Sequence, residues 1–236
     1  MSVPLLPPPA RKAVTPSGVG PVETGGLRDI ASPRPVVATI ERFQGRVWDI
    51  ATDEVDLGDG RIVVRDYVRH TGAVVIMALN DAGEVYLVRQ YRHPVGAECW
   101  EPPAGLLDAR GEDPLDAARR ELHEEADLIA QTWHVLADYH PSGGGSSEST
   151  RVFLARDLTD VPPAERHVRT DEEQDMEGRW VPLGMMVDAV LAGGIHSSSA
   201  VVGALALKEA LRDGLARLRP ADAPWMRAPE RMRREL

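Results

Sequence analysis

Three glutamates within five residues, Glu121, Glu124 and Glu125, constrain the fold of this chain more than any other feature of its sequence. On a helix these positions are i, i+3 and i+4 neighbours, and each like-charged pair destabilises the helix by about a few tenths of a kcal/mol. Clustered carboxylates are the ligands of a hard divalent cation such as Mg²⁺, which leaves its other coordination positions to water and phosphate oxygens. The alternative is a solvated helix face on which Arg120 pairs with Glu124.

The residues before the glutamates predict where this helix begins. Asp113 followed by Pro114 is typical of a helix start, because the aspartate caps a free amide and proline suits the first turn. Asp116 is placed to complete a capping box, in the position that Glu or Gln usually takes. The apolar residues recur at the spacing of a core-facing stripe: Leu115, Ala118 and Leu122. The three glutamates are therefore predicted to face away from the core.

Segments that alternate apolar and polar residues, and short apolar runs, predict strands elsewhere in the chain. They are VVATIERFQGRVWDIATDEVDL, RIVVRDYVRH, GAVVIMAL, EVYLVRQYR, WHVLADYH, TRVFLARDL and GRWVPL. The turn sequences GDG (58–60) and NDAG (80–83) predict hairpins between their flanking strands. GMMVDAVLAG and SSSAVVGALALKEALRDGLARL predict two helices near the end. Because strands and helices interleave irregularly, we expect an α/β fold with a mixed sheet.

Composition divides the chain into four segments. Residues 1–36 are rich in proline and show little apolar periodicity, which predicts a flexible tail; a proline-rich docking peptide is the alternative. Residues 37–70 are predicted to form a small antiparallel β unit, and residues 71–219 the main domain. Residues 220–236 are expected to form a C-terminal tail.

Charge and composition disfavour several kinds of partner. A net charge of −10 argues against binding to nucleic acid or to an anionic membrane surface. The longest apolar run, GAVVIMAL, is too short to span a bilayer. The single cysteine, Cys99, and an N-terminus without the apolar segment of a secretory signal lead us to expect a cytoplasmic protein. An anionic small molecule remains a compatible ligand if a metal ion or arginines neutralise it.

The extended sequence PAGLLDARGEDPLDAARRELHEEADL, residues 103–128, resembles the signature of the Nudix hydrolases. That signature combines a glycine, a glutamate and then Arg-Glu-aliphatic-x-Glu-Glu-x-Gly-aliphatic. The matching positions are Gly105, Glu112, Arg120, Glu121, Leu122, Glu124, Glu125 and Leu128. The resemblance implies a Nudix-type α/β/α sandwich with a mixed sheet.

Two positions depart from the signature. The gap from Gly105 to Glu112 is one residue longer than usual, and it lies in the loop ahead of Pro114, where an extra residue is tolerated. Asp127 replaces the last glycine. We expect this position to end the helix in the left-handed region, which aspartate tolerates better than most residues.

The flanking sequences are similar to one branch of the family, the ADP-ribose pyrophosphatases. They are LVRQYRHPVGAECWEPPAGLLD before the helix, and DEEQDM followed by GRWVPL after it. The resemblance implies hydrolysis of ADP-ribose to AMP and ribose 5-phosphate with Mg²⁺, or with Mn²⁺ in its place. It also implies a homodimer that exchanges the N-terminal β unit. The alternatives are another substrate (an ADP-sugar, GDP-mannose, NADH or a dinucleoside polyphosphate) or a nucleotide sensor without catalysis.

The resemblance also assigns roles to the residues of the signature. Glu121 and Glu125 correspond to the main metal ligands, with the backbone carbonyl of Ala104 beside them and Glu124 as a further ligand with a catalytic role. Structural roles fall to Gly105, Glu112 and Arg120. The catalytic base is expected in the loop RTDEEQDMEG, residues 169–178, with Glu172 as the first choice and Glu173 as the second. A solvated charge run is the alternative for either glutamate.

Substrate contacts are assigned to residues outside the signature. Arg92 occupies the position at which the branch places an arginine on the diphosphate or terminal ribose, and Arg69 is a second candidate. Glu148, in the glycine-rich loop HPSGGGSSES, is a candidate for contact with substrate or metal; a plain surface loop is the alternative. Trp48 or Trp100 could stack on adenine, although burial in the core is the simpler expectation for both.

Overall fold

A computed structural model of the chain describes residues 27–109, 111–168 and 176–227. The described residues from Pro33 onward belong to one compact unit, and residues 27–32 belong to a separate one without regular secondary structure. The elements are β1 (Val36–Gln44), β2 (Asp49–Asp56), β3 (Ile62–Arg69), β4 (Ala73–Ala78), β5 (Glu84–Arg92), β6 (Ala97–Glu101), β7 (Ala104–Leu106), α1 (Pro114–Ala126), β8 (Leu128–Tyr139), β9 (Thr150–Asp160), β10 (Glu177–Pro182), α2 (Leu183–Leu191), α3 (Ser198–Leu211) and β11 (Arg219–Pro220).

Strands β1, β2 and β3 form a three-stranded antiparallel sheet at the N-terminal side of the described chain. The turn between β2 and β3 is the predicted GDG sequence. All three of its residues have positive φ, namely Gly58, Asp59 and Gly60. Glycine and aspartate are residues that populate this region readily, which explains why the hairpin closes here. The predicted antiparallel β unit is therefore present.

The central sheet is mixed and has the order β11-β8-β9-β4-β7. Strand β4 runs parallel to β9, and the other pairs are antiparallel. Alternate residues of β4 enter two different cores. Val75 and Met77 pack in the cluster that contains the buried residues of α2 and α3, whereas Val74 and Ile76 pack in the cluster that contains those of α1. Helices thus cover both faces of the sheet, and the predicted α/β/α sandwich with a mixed sheet is confirmed.

The predicted hairpin between β4 and β5 is wrong, although its turn forms. Asn80 Oδ1 accepts hydrogen bonds from the N–H groups of Ala82 and Glu84, as expected for this turn sequence. After a single bridge between Leu79 and Val85, β5 leaves β4 and joins a separate antiparallel sheet of order β10-β5-β6. Strand β4 is buried on both faces and takes both its neighbours, β9 and β7, from distant parts of the chain.

Helix α1 begins and ends where the sequence predicts. Asp113 accepts a hydrogen bond from the Leu115 N–H at 2.8 Å, and proline occupies the first turn. Asp116 does not complete a capping box; its carboxylate pairs with Arg119 at 2.8 Å. Asp127 ends the helix with φ 53°, and its N–H donates to the His123 carbonyl. The expected left-handed residue at this position is confirmed. No helix among the described residues is long and apolar enough to cross a membrane.

Candidate active site

Glu121 and Glu125 lie on the side of α1 that faces strand β7, and each is only 8% exposed. The expectation that all three glutamates face away from the core is therefore wrong for these two, while Glu124 remains partly exposed. The positions are one helical turn apart, so the two carboxylates stand one above the other on the same face. The Ala104 N–H donates to Glu125 Oε2 at 3.0 Å, which fixes the second carboxylate against β7.

Gly105 makes this close approach of α1 and β7 sterically feasible. A Cβ atom at this position would lie well under 3.0 Å from the Oε1, Cδ and Cγ atoms of Glu121. The Glu121 side chain thus occupies the space that any other residue at position 105 would fill. The glycine is required here by its contact with the Glu121 side chain and not by its backbone conformation, because its φ does not lie in the left-handed region.

The backbone of Ala104 presents both its polar groups to the same side as Glu125. The Ile76 N–H donates to the Pro103 carbonyl at 2.8 Å, so Ile76 and Pro103 occupy a hydrogen-bonded position of the antiparallel ladder between β4 and the chain at β7. Such pairs alternate with non-hydrogen-bonded pairs, so Ala104, which is opposite Val75, directs its N–H and C=O away from β4. The N–H meets Glu125, and the carbonyl lies along the edge of β7, the last described strand on that side of the sheet.

Arg120 holds the acidic residues of the helix and its preceding loop together. Its Nε and Nη2 atoms donate to the two oxygens of Glu112 at 3.1 and 3.2 Å. Its Nη1 atom donates to Glu121 at 2.6 Å and to Glu124 at 3.1 Å. The hydrogen bond with Glu112 raises the pKa of Arg120, burial opposes this, and the charges of Glu121 and Glu112 raise it further. The positive charge that offsets the repulsion between the glutamates is therefore built into the chain.

A cavity of about 290 Å³ opens beside β7. The residues that line it come from several elements and include Arg92, Glu101, Ala104, Gly105, Tyr139 and Glu148. Glu101 is buried, and Arg92 donates to it from Nη2 at 2.6 Å and from Nε at 3.2 Å. Burial lowers the pKa of Arg92, but the bond to Glu101 and the charges of Glu101 and Glu125 outweigh that effect and raise it. The guanidinium is thus a fixed positive charge at the cavity wall.

A second cavity of about 680 Å³ shares Trp48, Arg92 and Glu101 with the first. Trp100 also lines it, and the guanidinium of Arg179 lies 4.2 Å from the centre of that ring. Trp48 is half-exposed and stacks on His70 with the ring centres 5.9 Å apart. Trp48 therefore borders both cavities outside the core, which is compatible with stacking on a flat ligand. Trp100 borders the second cavity and also packs against the core, as expected.

The structure brings some of the predicted substrate residues together and separates others. Arg92 and Glu148 both line the smaller cavity. Arg69 pairs with Glu41 of the N-terminal sheet and is not among the residues that line the two cavities described above. Glu172 and Glu173 lie outside the residues that the structure describes.

Several residues of the smaller cavity were not predicted from the sequence, among them Glu101, His70 and Tyr139. Glu101 follows Trp100 in a strand that was not predicted, and a glutamate next to two prolines carries no recognisable pattern. Tyr139 sits at the end of β8, where burial raises its phenol pKa and hydrogen bonds with Ser198 and Thr150 oppose that effect. Only the folded chain shows that these residues converge, because they come from distant sequence positions.

The donor set fits a hard divalent cation. Among the described residues no three His, Cys, Asp or Glu side chains form a ready-made metal group. The oxygens grouped at β7 belong to two carboxylates, Glu121 and Glu125, together with the carbonyl edge at Ala104. Carboxylate and carbonyl oxygens without thiol or imidazole are the donors that Mg²⁺ and Mn²⁺ take, so the residues present fit such an ion.

The fold and this acidic helix place the chain in a known class: it belongs to the Nudix family, whose domain model matches residues 68–198. Members of the family generally use divalent cations. The chain is 44% identical over 185 residues to an ADP-ribose pyrophosphatase of Mycobacterium tuberculosis, covering 78% of this chain and 87% of that protein. It is 32% identical over 178 residues to an ADP-ribose pyrophosphatase of Bacillus subtilis, covering 75% and 94% of the two chains.

A solved structure described as an ADP compounds hydrolase has the same fold. It superposes with a TM-score of 0.64 at 20% identity and covers 80% of this chain and all of the other.

Proposed function

We propose that this protein hydrolyses the diphosphate bond of ADP-ribose, giving AMP and ribose 5-phosphate, with Mg²⁺ as the ion and Mn²⁺ as a substitute. The observation that carries the proposal is the buried Glu121–Glu125 pair at the edge of β7, beside a cavity with a fixed arginine. The two relatives named as ADP-ribose pyrophosphatases support the choice of substrate, since they match over three quarters or more of this chain.

The residues at β7 would hold the cation and the diphosphate in register. Glu121 and Glu125 lie against β7 beside the backbone of Gly105 and Ala104, whose carbonyl would be a further ligand, and Glu124 adds a carboxylate that Arg120 restrains. When bound, a divalent cation neutralises the diphosphate and activates the attacking water. The bonds from Arg120 to Glu112 and Glu121 keep the helix and its preceding loop in place, so the carboxylates need not reorganise during the reaction.

Arg92 would bind the substrate's phosphate oxygens. Its guanidinium is locked by Glu101, which leaves its charge at the wall of the smaller cavity. A planar guanidinium suits phosphate oxygens, and one already ordered by a carboxylate loses little conformational entropy on binding. Arg69 remains a second candidate for this role. Glu148, which lines the same cavity, would accept hydrogen bonds from substrate hydroxyls.

A general base would come from the loop before β10. Glu172 is our first choice and Glu173 the second, because both belong to a carboxylate-rich segment that joins the central sheet to β10. The attacking water loses a proton when it bonds to phosphorus, and a carboxylate within hydrogen-bond reach accepts that proton.

We further propose that the protein is a cytoplasmic homodimer. Several large apolar residues of the N-terminal sheet are exposed: Val37, Ile40, Phe43, Ile62 and Val64. Apolar patches of this kind mark surfaces that pack against another protein, and here the exposed residues belong to the unit that the family resemblance assigns to dimer exchange.

The substrate assignment is tested by comparing candidate substrates at equal concentration. The purified protein is incubated with Mg²⁺ and ADP-ribose, ADP-glucose, GDP-mannose, NADH or diadenosine polyphosphate, and the products are quantified by chromatography. The proposal predicts that kcat/KM for ADP-ribose exceeds the other values, with AMP as product. A higher kcat/KM for another substrate would support diphosphate hydrolysis but refute ADP-ribose as the preferred substrate. Binding of these compounds without hydrolysis of any of them would favour a nucleotide sensor.

A further inference from the structure

The glycine-rich loop between β8 and β9 is bound along strand β3. The Val68 N–H donates to the Gly145 carbonyl at 2.9 Å, and the Ser147 N–H donates to the Val68 carbonyl at 2.9 Å. The Ser147 hydroxyl in turn accepts a hydrogen bond from the His70 N–H at 2.9 Å. These contacts form a short parallel bridge between the N-terminal sheet and the loop. The loop is therefore held at the end that carries Glu148 and is not a plain surface loop.

His70 lies under this loop with its tautomer fixed by the backbone. The ring is buried and stacks on Trp48. The Gly72 N–H donates to His70 Nδ1 at 3.0 Å, so Nδ1 must be the unprotonated nitrogen. Burial lowers the pKa of His70, and the charge of Glu148 opposes this. Because Nδ1 accepts a hydrogen bond, the proton of the neutral imidazole lies on Nε2.

That Nε2–H group faces Glu148. The Nε2 atom lies 3.9 Å from Glu148 Oε2, while the other oxygen of Glu148 accepts a hydrogen bond from Thr150 Oγ1 at 3.3 Å. His70, Glu148 and Thr150 all line the smaller cavity. The 3.9 Å separation is longer than a hydrogen bond, so one of the two side chains must move by roughly 1 Å or less to form it.

We propose that His70 is a positioning residue: its Nε2–H group and the Thr150 hydroxyl hold the Glu148 carboxylate in the orientation that accepts substrate hydroxyls. The inference rests on the proposed function, because it takes the substrate to be a nucleoside diphosphate derivative that carries such hydroxyls.

Two substitutions of His70 separate positioning from a purely structural role. His70→Asn keeps an acceptor for the Gly72 N–H, at the place of Nδ1, but cannot reach Glu148. His70→Gln places a donor near the position of Nε2 and loses the acceptor close to the backbone. If His70 only stabilises the turn at Gly72, the asparagine variant should have the lower KM of the two. If His70 positions Glu148, the glutamine variant should have the lower KM.

Our proposal predicts that His70→Asn raises KM for ADP-ribose by about tenfold, with kcat within about twofold, because a lost hydrogen bond to a charged group weakens substrate binding. His70→Gln should keep KM within about threefold of the parent value, because its amide replaces the donor to Glu148. A change of about threefold corresponds to only a small part of the free energy of such a hydrogen bond. In the Glu148→Gln background His70→Asn should have little further effect, since the two residues act together. A functional asparagine variant, an impaired glutamine variant, or additive effects would each overturn the proposal.

A second readout separates failure of this inference from failure of the proposed function. Nitrogen-15 NMR of the imidazole should show His70 as the Nε2–H tautomer, and Glu148→Gln should shift its Nε2 resonance more than its Nδ1 resonance. If ADP-ribose is not hydrolysed, the proposed function fails, and this spectrum still decides whether His70 contacts Glu148. An Nδ1–H tautomer, or an Nε2 resonance that does not shift in Glu148→Gln, would overturn the inference whichever substrate the protein hydrolyses.

Discussion

Replacing Gly105 with alanine is the smallest change that should disable this site. The new methyl group would lie well under 3.0 Å from three side-chain atoms of Glu121, so the glutamate must leave its present rotamer. Its Oε1 atom accepts the 2.6 Å hydrogen bond from Arg120, and moving the carboxylate breaks that bond. The substitution therefore removes a proposed metal ligand without changing any charge.

The magnitude follows from these contacts. A hydrogen bond to a charged group contributes about 1.5–3 kcal/mol, and a displaced rotamer costs about 0.5–1.5 kcal/mol. Partial relaxation brings the expected loss of unfolding free energy to about 2 kcal/mol, a fall in Tm of about 4–8 °C for a chain of this size. The effect on activity should be larger than the effect on stability, because the proposed metal ligand itself is displaced. Substitution of residues that only contact a metal ligand already reduces activity by about 10–100-fold.

The assay is kcat/KM for ADP-ribose with Mg²⁺ at a temperature where all variants are folded. Gly203→Ala is the matched control, because a Cβ there would lie 2.6 Å from the Met77 sulfur in the core, and neither residue lines the two cavities. We expect a loss of about 100-fold or more for Gly105→Ala, and Gly203→Ala should change stability but keep kcat/KM within about twofold, because it displaces no residue of the site. An active Gly105→Ala enzyme, or equal losses in both variants, would refute the reasoning.

The remaining predictions concern the arginine, the base and the dimer. Arg120→Ala should lower the unfolding free energy in urea by about 1.5–3 kcal/mol because it removes charge-assisted bonds, whereas Arg119→Ala, which breaks one exposed pair, should change it by at most about 1 kcal/mol; equal effects would contradict the assigned network. Glu172→Gln should lower kcat about 100-fold or more with little change in KM, and a larger effect of Glu173→Gln would reverse our choice of base. Light scattering should give a dimer that Phe43→Asp converts to monomer; a monomeric parent protein would remove the dimer proposal.

Local signals in the sequence predicted local structure well. The start of α1 at Asp113 and its left-handed end at Asp127 follow from side-chain chemistry within one turn of the chain. The β2–β3 hairpin follows from its turn sequence in the same way. These features depend on neighbours in sequence, and so a pattern of residue types is sufficient to find them.

Features that depend on distant parts of the chain were not predictable in the same way. The NDAG turn forms, but the partners of β4 are chosen by burial on both of its faces, which local turn chemistry does not report. The periodicity of apolar residues did not predict the burial of Glu121 and Glu125, because charged residues in such a pattern are assigned to the solvent-exposed face. Their position depends on Gly105 and the Ala104 N–H, which lie beside them only in the folded chain. His70 and Glu101 join the cavity through tertiary contacts alone.

The central claim is that Glu121 and Glu125 form the metal site, and Mn²⁺ binding measured by electron paramagnetic resonance tests it most directly. Glu121→Gln and Glu125→Gln should each weaken Mn²⁺ binding by at least about tenfold, because each loses a charged ligand. Asp116→Asn, an exposed change of the same charge on the same helix, should leave the affinity unchanged. Parent-like Mn²⁺ affinity in both glutamine variants would contradict the account.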